Sequence, residues 1–197
     1  VVQPDPGTFR YRLHGLALTD DESRYVLLYS VNRTYMGFHG ELRALHGRVG
    51  GTGQPSEDVV IYQPPGPISD FSAQMVPDGA AGFLIVWRNA WATLRLNHLL
   101  GIGARHLVIS ADGRSVVGPE VPLSTQADAR DMAYSGFRRG LDVIPAGRGS
   151  AIAVWTEMWH PHKTFPSHYY TPGKWDAYVD VVAQRVDLVA HYDEVVK

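Results

Sequence analysis

None of the 197 residues is a cysteine, which excludes disulfides and thiolate metal sites. No apolar run approaches the roughly 20 residues that a helix needs to cross a bilayer, so no membrane span is expected. Charge of one sign is lacking too. With 18 Lys and Arg against 20 Asp and Glu, the formal charge is −2, and there is no basic footprint for nucleic acid. The G-x-S-x-G elbow, the P-loop and H-E-x-x-H are absent. Helical periodicity is scarce: WATLRLNHLLGIG (Trp91 to Gly103) is the one candidate, and glycines close it quickly.

What is present is ordinary globular chemistry, 45% hydrophobic and 19% charged. The supply of Gly, Pro, Trp and Tyr leans toward an extracellular β-protein. The chain opens VVQPDP, without Met. A removed signal or pro-segment is expected, or a longer parent chain, and with it an extracellular, cell-surface or periplasmic location.

Three segments share one pattern. An apolar strand ends in an aromatic residue: RYVLLYS with Tyr29, GFLIVWR with Trp87, SAIAVWT with Trp155. After a loop comes a second strand with an arginine: LHGRV (Arg48), IGARHLVI (Arg105), YVDVVAQRVDL (Arg185). A strand precedes each pair: FRYRLHGLAL (Phe9 to Leu18), DFSAQMV (Asp70 to Val76) and RRGLDVI (Arg138 to Ile144). TDDES, PDGAAG and PAGRGS are the turns between them. SEDVVIYQPP and GPEVPLS supply a fourth strand. Each unit then has four antiparallel strands, and the three arginines read as equivalent structural positions.

The expected fold is all-β: a β-propeller of four-stranded antiparallel blades, with three blades' worth in this chain. The alternative is a β-sandwich. The domain is one propeller, or half of one, over residues 1–197, with approximate repeats at 5–65, 66–127 and 128–197.

GFLIVWR, ISADGRSVVGPEVPLST and SAIAVWT…VVAQRVD resemble the β-propeller repeats of secreted and surface bacterial proteins. Those repeats run as a Gly-rich turn, a VVW strand, a loop, an AQR-D strand, a DG turn and a VST strand. The likeness covers residues 68 to 188. The first repeat departs from it, with Tyr29 in place of Trp and GGTG in place of the DG turn. The resemblance implies a fold rather than an activity.

VVQPDPGTFRY resembles VVIYQPPGPISDF, so Val1 to Pro4 read as a fourth strand without its own blade. Three blades do not close, since propellers have roughly four to eight. A partner is therefore expected: another copy, each lending its N-terminal strand in a six-bladed ring, or a second chain completing the propeller. A third option makes VAHYDEVV the last strand.

Chemistry is expected on the loops that follow the aromatic strands. The third, within Trp155 to Tyr178, holds three histidines, seven aromatics and three prolines in 24 positions. His160, His162 and His168 are candidate ligands for a divalent metal, zinc or calcium, with Glu157 beside them. Against this stands a reading as solvated loop histidines. Tyr35, Arg33, Trp91, Arg95, Trp159, Tyr169, Tyr170 and Trp175 are candidates for ligand binding, because sugars stack on flat aromatic faces beside polar groups. The same aromatics read equally as a rigidifying cluster within the loop. Glu157 and Asp176 are candidate catalytic carboxylates, as the two stems of that loop; the plainer alternative is solvent-facing strand ends.

The leading expectation is a non-catalytic extracellular binding or assembly module, presenting an aromatic and His-rich face to a glycan or protein. The alternatives are a propeller-fold hydrolase, glycosidase-like or metal-dependent, using the same face, and a structural subunit of a larger complex.

Overall fold

The computed structural model describes residues 9–33, 40–51, 57–64, 70–79, 82–92, 97–110, 112–124, 141–159 and 178–188. Among these residues the chain is all-β, with three antiparallel sheets and no helix long and apolar enough to cross a membrane. The first sheet is β1 (Phe9–Leu18), β2 (Arg24–Arg33), β3 (Gly40–Arg48) and β4 (Glu57–Tyr62), paired in chain order. The second is β5 (Asp70–Asp78), β6 (Gly82–Ala92), β7 (Asn97–Ile109) and β8 (Ser115–Val117), with β9 (Val121–Ser124) also pairing β7. The third is β10 (Asp142–Gly147), β11 (Ser150–Trp159) and β12 (Tyr178–Asp187).

The turn chemistry behaves as its residues dictate. Gly79 and Gly113 hold φ values of +76° and +89°, a region that side chains disfavour and glycine enters freely. Asp78 ends β5 and Gly79 follows it in the turn to β6, and Asp112-Gly113 lies between β7 and β8.

The segment 91–103 is not helical where it is described: Trp91 and Ala92 end β6, and β7 begins at Asn97. The ladder between them continues to Ala92↔Asn97 through a register shift at Asn89/Ala90. Asn89 to Gly101, which the sequence pattern gives as the loop after the second aromatic strand, is therefore mostly hairpin stem. Val1 to Pro4 and VAHYDEVV after Leu188 lie outside the described residues.

The three sheets form a stack with the second in the middle. Along β6 the side chains alternate between two cores. Phe83, Ile85 and Trp87 join Val26, Leu28, Leu42, Ala44 and Ile61 of the first sheet. Leu84 and Val86 join Val143, Ala151, Ala153 and Trp155 of the third. A strand buried on both faces needs apolar residues at consecutive positions, and GFLIVW supplies them. Burying one such large side chain stabilises the fold by about 1.5–3 kcal/mol. Trp87 also stacks on Tyr62 of the first sheet, centroids 4.9 Å apart. Contacts between sheets concentrate on the first strands, β1 with β5 and β5 with β10, so the stack fans out from that edge.

Strand register reveals which positions are equivalent. Aligning Tyr29, Trp87 and Trp155 makes three pairs correspond: Leu28↔Ala44, Val86↔Ala104 and Val154↔Ala183. A second trio is Ser30↔Leu42, Arg88↔Ile102 and Thr156↔Val181. A third is Val26↔His46, Leu84↔His106 and Ile152↔Arg185. The arginines expected to be equivalent are not. Arg48 lies opposite Arg24, Arg105 opposite Ile85 and Arg185 opposite Ile152. A single-residue offset in a strand carries a side chain to the other face. Arg105 reaches back to the first sheet and donates to the Ile61 carbonyl at 2.8 Å, whereas Arg185 lies in an exposed pair with Asp187.

Candidate functional site

Polar contacts between sheets set their relative direction. Asp78 Oδ1 accepts the Gly149 amide at 2.6 Å, placing the turn before β6 beside the turn before β11. Ser115 Oγ lies 2.6 Å from His46 Nε2, and the Ser115 amide donates to Glu57 Oε2 at 2.7 Å. Because His46 pairs with Val26 near the start of β2, and Gly82 with Val108 beside β8, these contacts align the starts of β2 and β6. The starts of β2, β6 and β11 therefore share one end of the stack. Their hairpin ends, leading into 34–39, 93–96 and 160–177, share the other.

Four of the expected site residues lie on strands at that hairpin end. Arg33 ends β2, Trp91 lies one residue from the end of β6, and Glu157 and Trp159 occupy the last turn-ward positions of β11. Tyr35, Arg95, His160, His162, His168, Tyr169, Tyr170, Trp175 and Asp176 lie outside the described residues. The β11–β12 ladder runs on past Glu157 to Trp159↔Tyr178. The residue in register with Glu157 is Asp180, not Asp176. This pairing was hidden because the sequence pattern appeared to end strand β11 at Thr156.

Sequence reasoning also missed the group at the opposite end. His46 is fully buried, with Glu57 Oε2 at 3.6 Å and Ser115 Oγ at 2.6 Å, both on the same ring nitrogen. A nucleophile–base–carboxylate relay needs serine and carboxylate on opposite ring nitrogens. The arrangement therefore joins two sheets and does not form a hydrolytic triad. Burial pushes the His46 imidazole below its ordinary range, against the opposing pull of Glu57. Hydrogen bonds from the Ser115 side chain and amide hold the Glu57 carboxyl low. The signal was a short β8 following a DG turn, too brief to show alternation.

His106 occupies the position equivalent to His46, and its Nε2 lies 2.8 Å from Asp78 Oδ2 with both side chains buried. Burial raises the Asp78 carboxyl, but His106 and the Gly149 amide outweigh it and hold the group below its usual range. Two sheets in succession thus place a histidine where it helps bind the next sheet. Among the described residues, no group of three or more His, Asp or Glu side chains is arranged to hold a metal ion.

Protein-family models, curated proteins and solved structures give no match to this chain.

Proposed function

We propose that this chain is a non-catalytic binding module of the β-propeller type, whose hairpin end engages a glycan or a protein partner. The observation that carries the reading is the shared direction of β2, β6 and β11, which brings three hairpins to one end of a rigid stack. Binding surfaces built from loops on such scaffolds are common, because the sheets fix where the loops emerge. The strands of the three sheets pair in chain order, except that β9 pairs β7, and this supports the propeller form. The aromatic residues of the third hairpin supply stacking faces for sugars or anchor points for a protein.

The test is a glycan array, with each bound glycan then titrated by calorimetry against the chain and its Trp159→Ala and Tyr170→Ala variants. The reading expects binding weakened at least about tenfold, roughly 1.4 kcal/mol, with the melting temperature unchanged. Hydrolysis of the bound glycan that disappears in Glu157→Gln overturns the non-catalytic reading. Binding to arrayed glycans that is indifferent to both substitutions overturns the assigned surface. With no glycan retained, the protein-partner form is tested by the same two variants in pull-downs from culture supernatant.

A further inference from the structure

The register equivalences expose a mismatch between the ends of the stack and its interior. Leu42, Ile102 and Val181 are equivalent positions, and their exposures are 0%, 1% and 71%. The first two are covered because each faces the next sheet in the stack. Val181 sits on the outer face of the third sheet, on which no further sheet packs among the described residues. Ile152, equivalent to buried Val26 and Leu84, and Ile144, equivalent to Val76, are exposed on the same face. Ala183 and Arg185 complete it, at the positions of Ala104 and His106.

The outer face of the first sheet is the counterpart. Leu16 corresponds to Met75 and Val143 through the pairs Leu16↔Leu27, Met75↔Ile85 and Val143↔Ala153. Val143 is buried against the preceding sheet, and Leu16 is 64% exposed. Leu13 and Leu18 are exposed beside it. This face carries the residues that, in the second and third sheets, receive the sheet before.

One end of the chain therefore presents the giving half of the internal junction, and the other presents the receiving half. Each copy carries the complement of both of its own open faces. We propose that a second copy of this chain covers them, with the third sheet of each packing on the first sheet of the other. The two junctions then repeat the internal one, and two chains close a ring of six sheets. Closure rests on the propeller reading, and follows from a stack that fans out from its first strands. Six sheets fall within the roughly four to eight of known propellers. The self-complementary faces are what a closed, symmetric pair requires.

The experiment is sedimentation equilibrium of the full chain across a hundredfold concentration range, with Leu16→Asp and Val181→Asp as separate variants. Both residues are exposed within one chain, so both variants should keep the wild-type circular dichroism spectrum. The expected wild-type mass is twice the 21.8 kDa of the chain. Each variant alone is expected to fall to the monomer mass. An equimolar mixture of the two variants regains part of the dimer, because one of its two junctions pairs intact faces. A monomeric wild type overturns the proposal. So does a ladder of masses growing with concentration, which means head-to-tail contact without closure. A dimer broken by Leu16→Asp but indifferent to Val181→Asp also overturns it, since that pair would join like faces. None of these results bears on ligand binding at the hairpin end.

Discussion

Asp78 and Gly149 belong to neighbouring sheets, and the Asp78 carboxylate accepts the Gly149 amide proton at 2.6 Å. The other carboxylate oxygen lies 2.8 Å from His106 Nε2, deep in the same junction. A single side chain thus ties the turn before β6 to the turn before β11. Removing the carboxylate takes away the acceptor of the Gly149 amide inside this junction, and a buried donor that loses its acceptor costs about 1–3 kcal/mol. Asp78→Ala is expected to lower the unfolding free energy by about 2 kcal/mol, read from urea midpoints at constant m. Asp78→Asn, which retains an acceptor for the amide, is expected to lose less. Equal midpoints for wild type and Asp78→Ala would sink the assignment.

His46 makes a pH prediction whose sign follows from its burial. Its folded pKa lies below the ordinary value of 6.5, so the unfolded chain binds the proton more readily. Stability from this group is full above the unfolded value and declines as pH falls from there toward the folded value. Asp78 works in a lower window. Its folded pKa lies below the ordinary 3.8, so its contribution is full above that value and is lost as pH falls through the folded one. Melting temperatures from pH 7.5 to 5 should fall less steeply in His46→Gln than in the wild type. Identical slopes would show that His46 is not the group responsible.

Gly103 tests the packing of the second sheet on the first. A β-carbon there would lie 2.7 Å from the Trp87 ring and 3.1 Å from Glu120 Oε1. Trp87 has little room to retreat, being 1% exposed and stacked on Tyr62. Gly103→Ala is expected to destabilise by about 1–3 kcal/mol, the range for overpacked cores. Gly15→Ala is the control, because nothing lies within 4 Å of its would-be β-carbon. Thermal denaturation of both variants settles the matter; a Gly103→Ala melt equal to that of the control means the ring relocates freely.

Much of the fold was legible because burial writes itself into residue order. Phe9 to Leu18, bounded by TDDES, reads as a strand and forms β1 over the same residues. GFLIVW reads as a strand because six consecutive apolar residues are too few for a buried helix, and β6 shows the doubly covered environment behind that run. Polar residues concealed the rest. Asn89, Asn97 and His98 interrupt the apolar signal, yet the β6–β7 ladder continues through them, because backbone hydrogen bonding does not require apolar side chains. The repeated basic position was hidden by chemistry: His46, His106 and Arg185 share it, whereas Arg48, Arg105 and Arg185 only share a residue type or a charge. Register depends on which backbone groups pair, and a motif read by residue name alone slips by one or two places.

Of the candidate site, the hairpin stems were legible and their facing was not. Glu157 was identifiable as a carboxylate at the base of the aromatic hairpin, but its counterpart in register, Asp180, belongs to a stretch that reads simply as the start of β12. The union of three hairpins at one end had no local signature at all. It arises from contacts between residues far apart in the chain, such as Ser115 with His46, 69 positions away.

The second sheet has a neighbour on each face, and this governs how the molecule comes apart. In a linear stack each layer is held only by the layers beside it, so stability approximates a sum of nearest-neighbour junctions. Backbone amides of β6 can reach solvent only after the first or third sheet has peeled away. In the Leu16→Asp variant, expected to be monomeric, amide hydrogen exchange should therefore be slowest in β6 and graded outward, with protection at the two flanking sheets set by one junction each. In the separated chain disassembly begins at a flank, and the middle of the stack is the last structure to lose its shape.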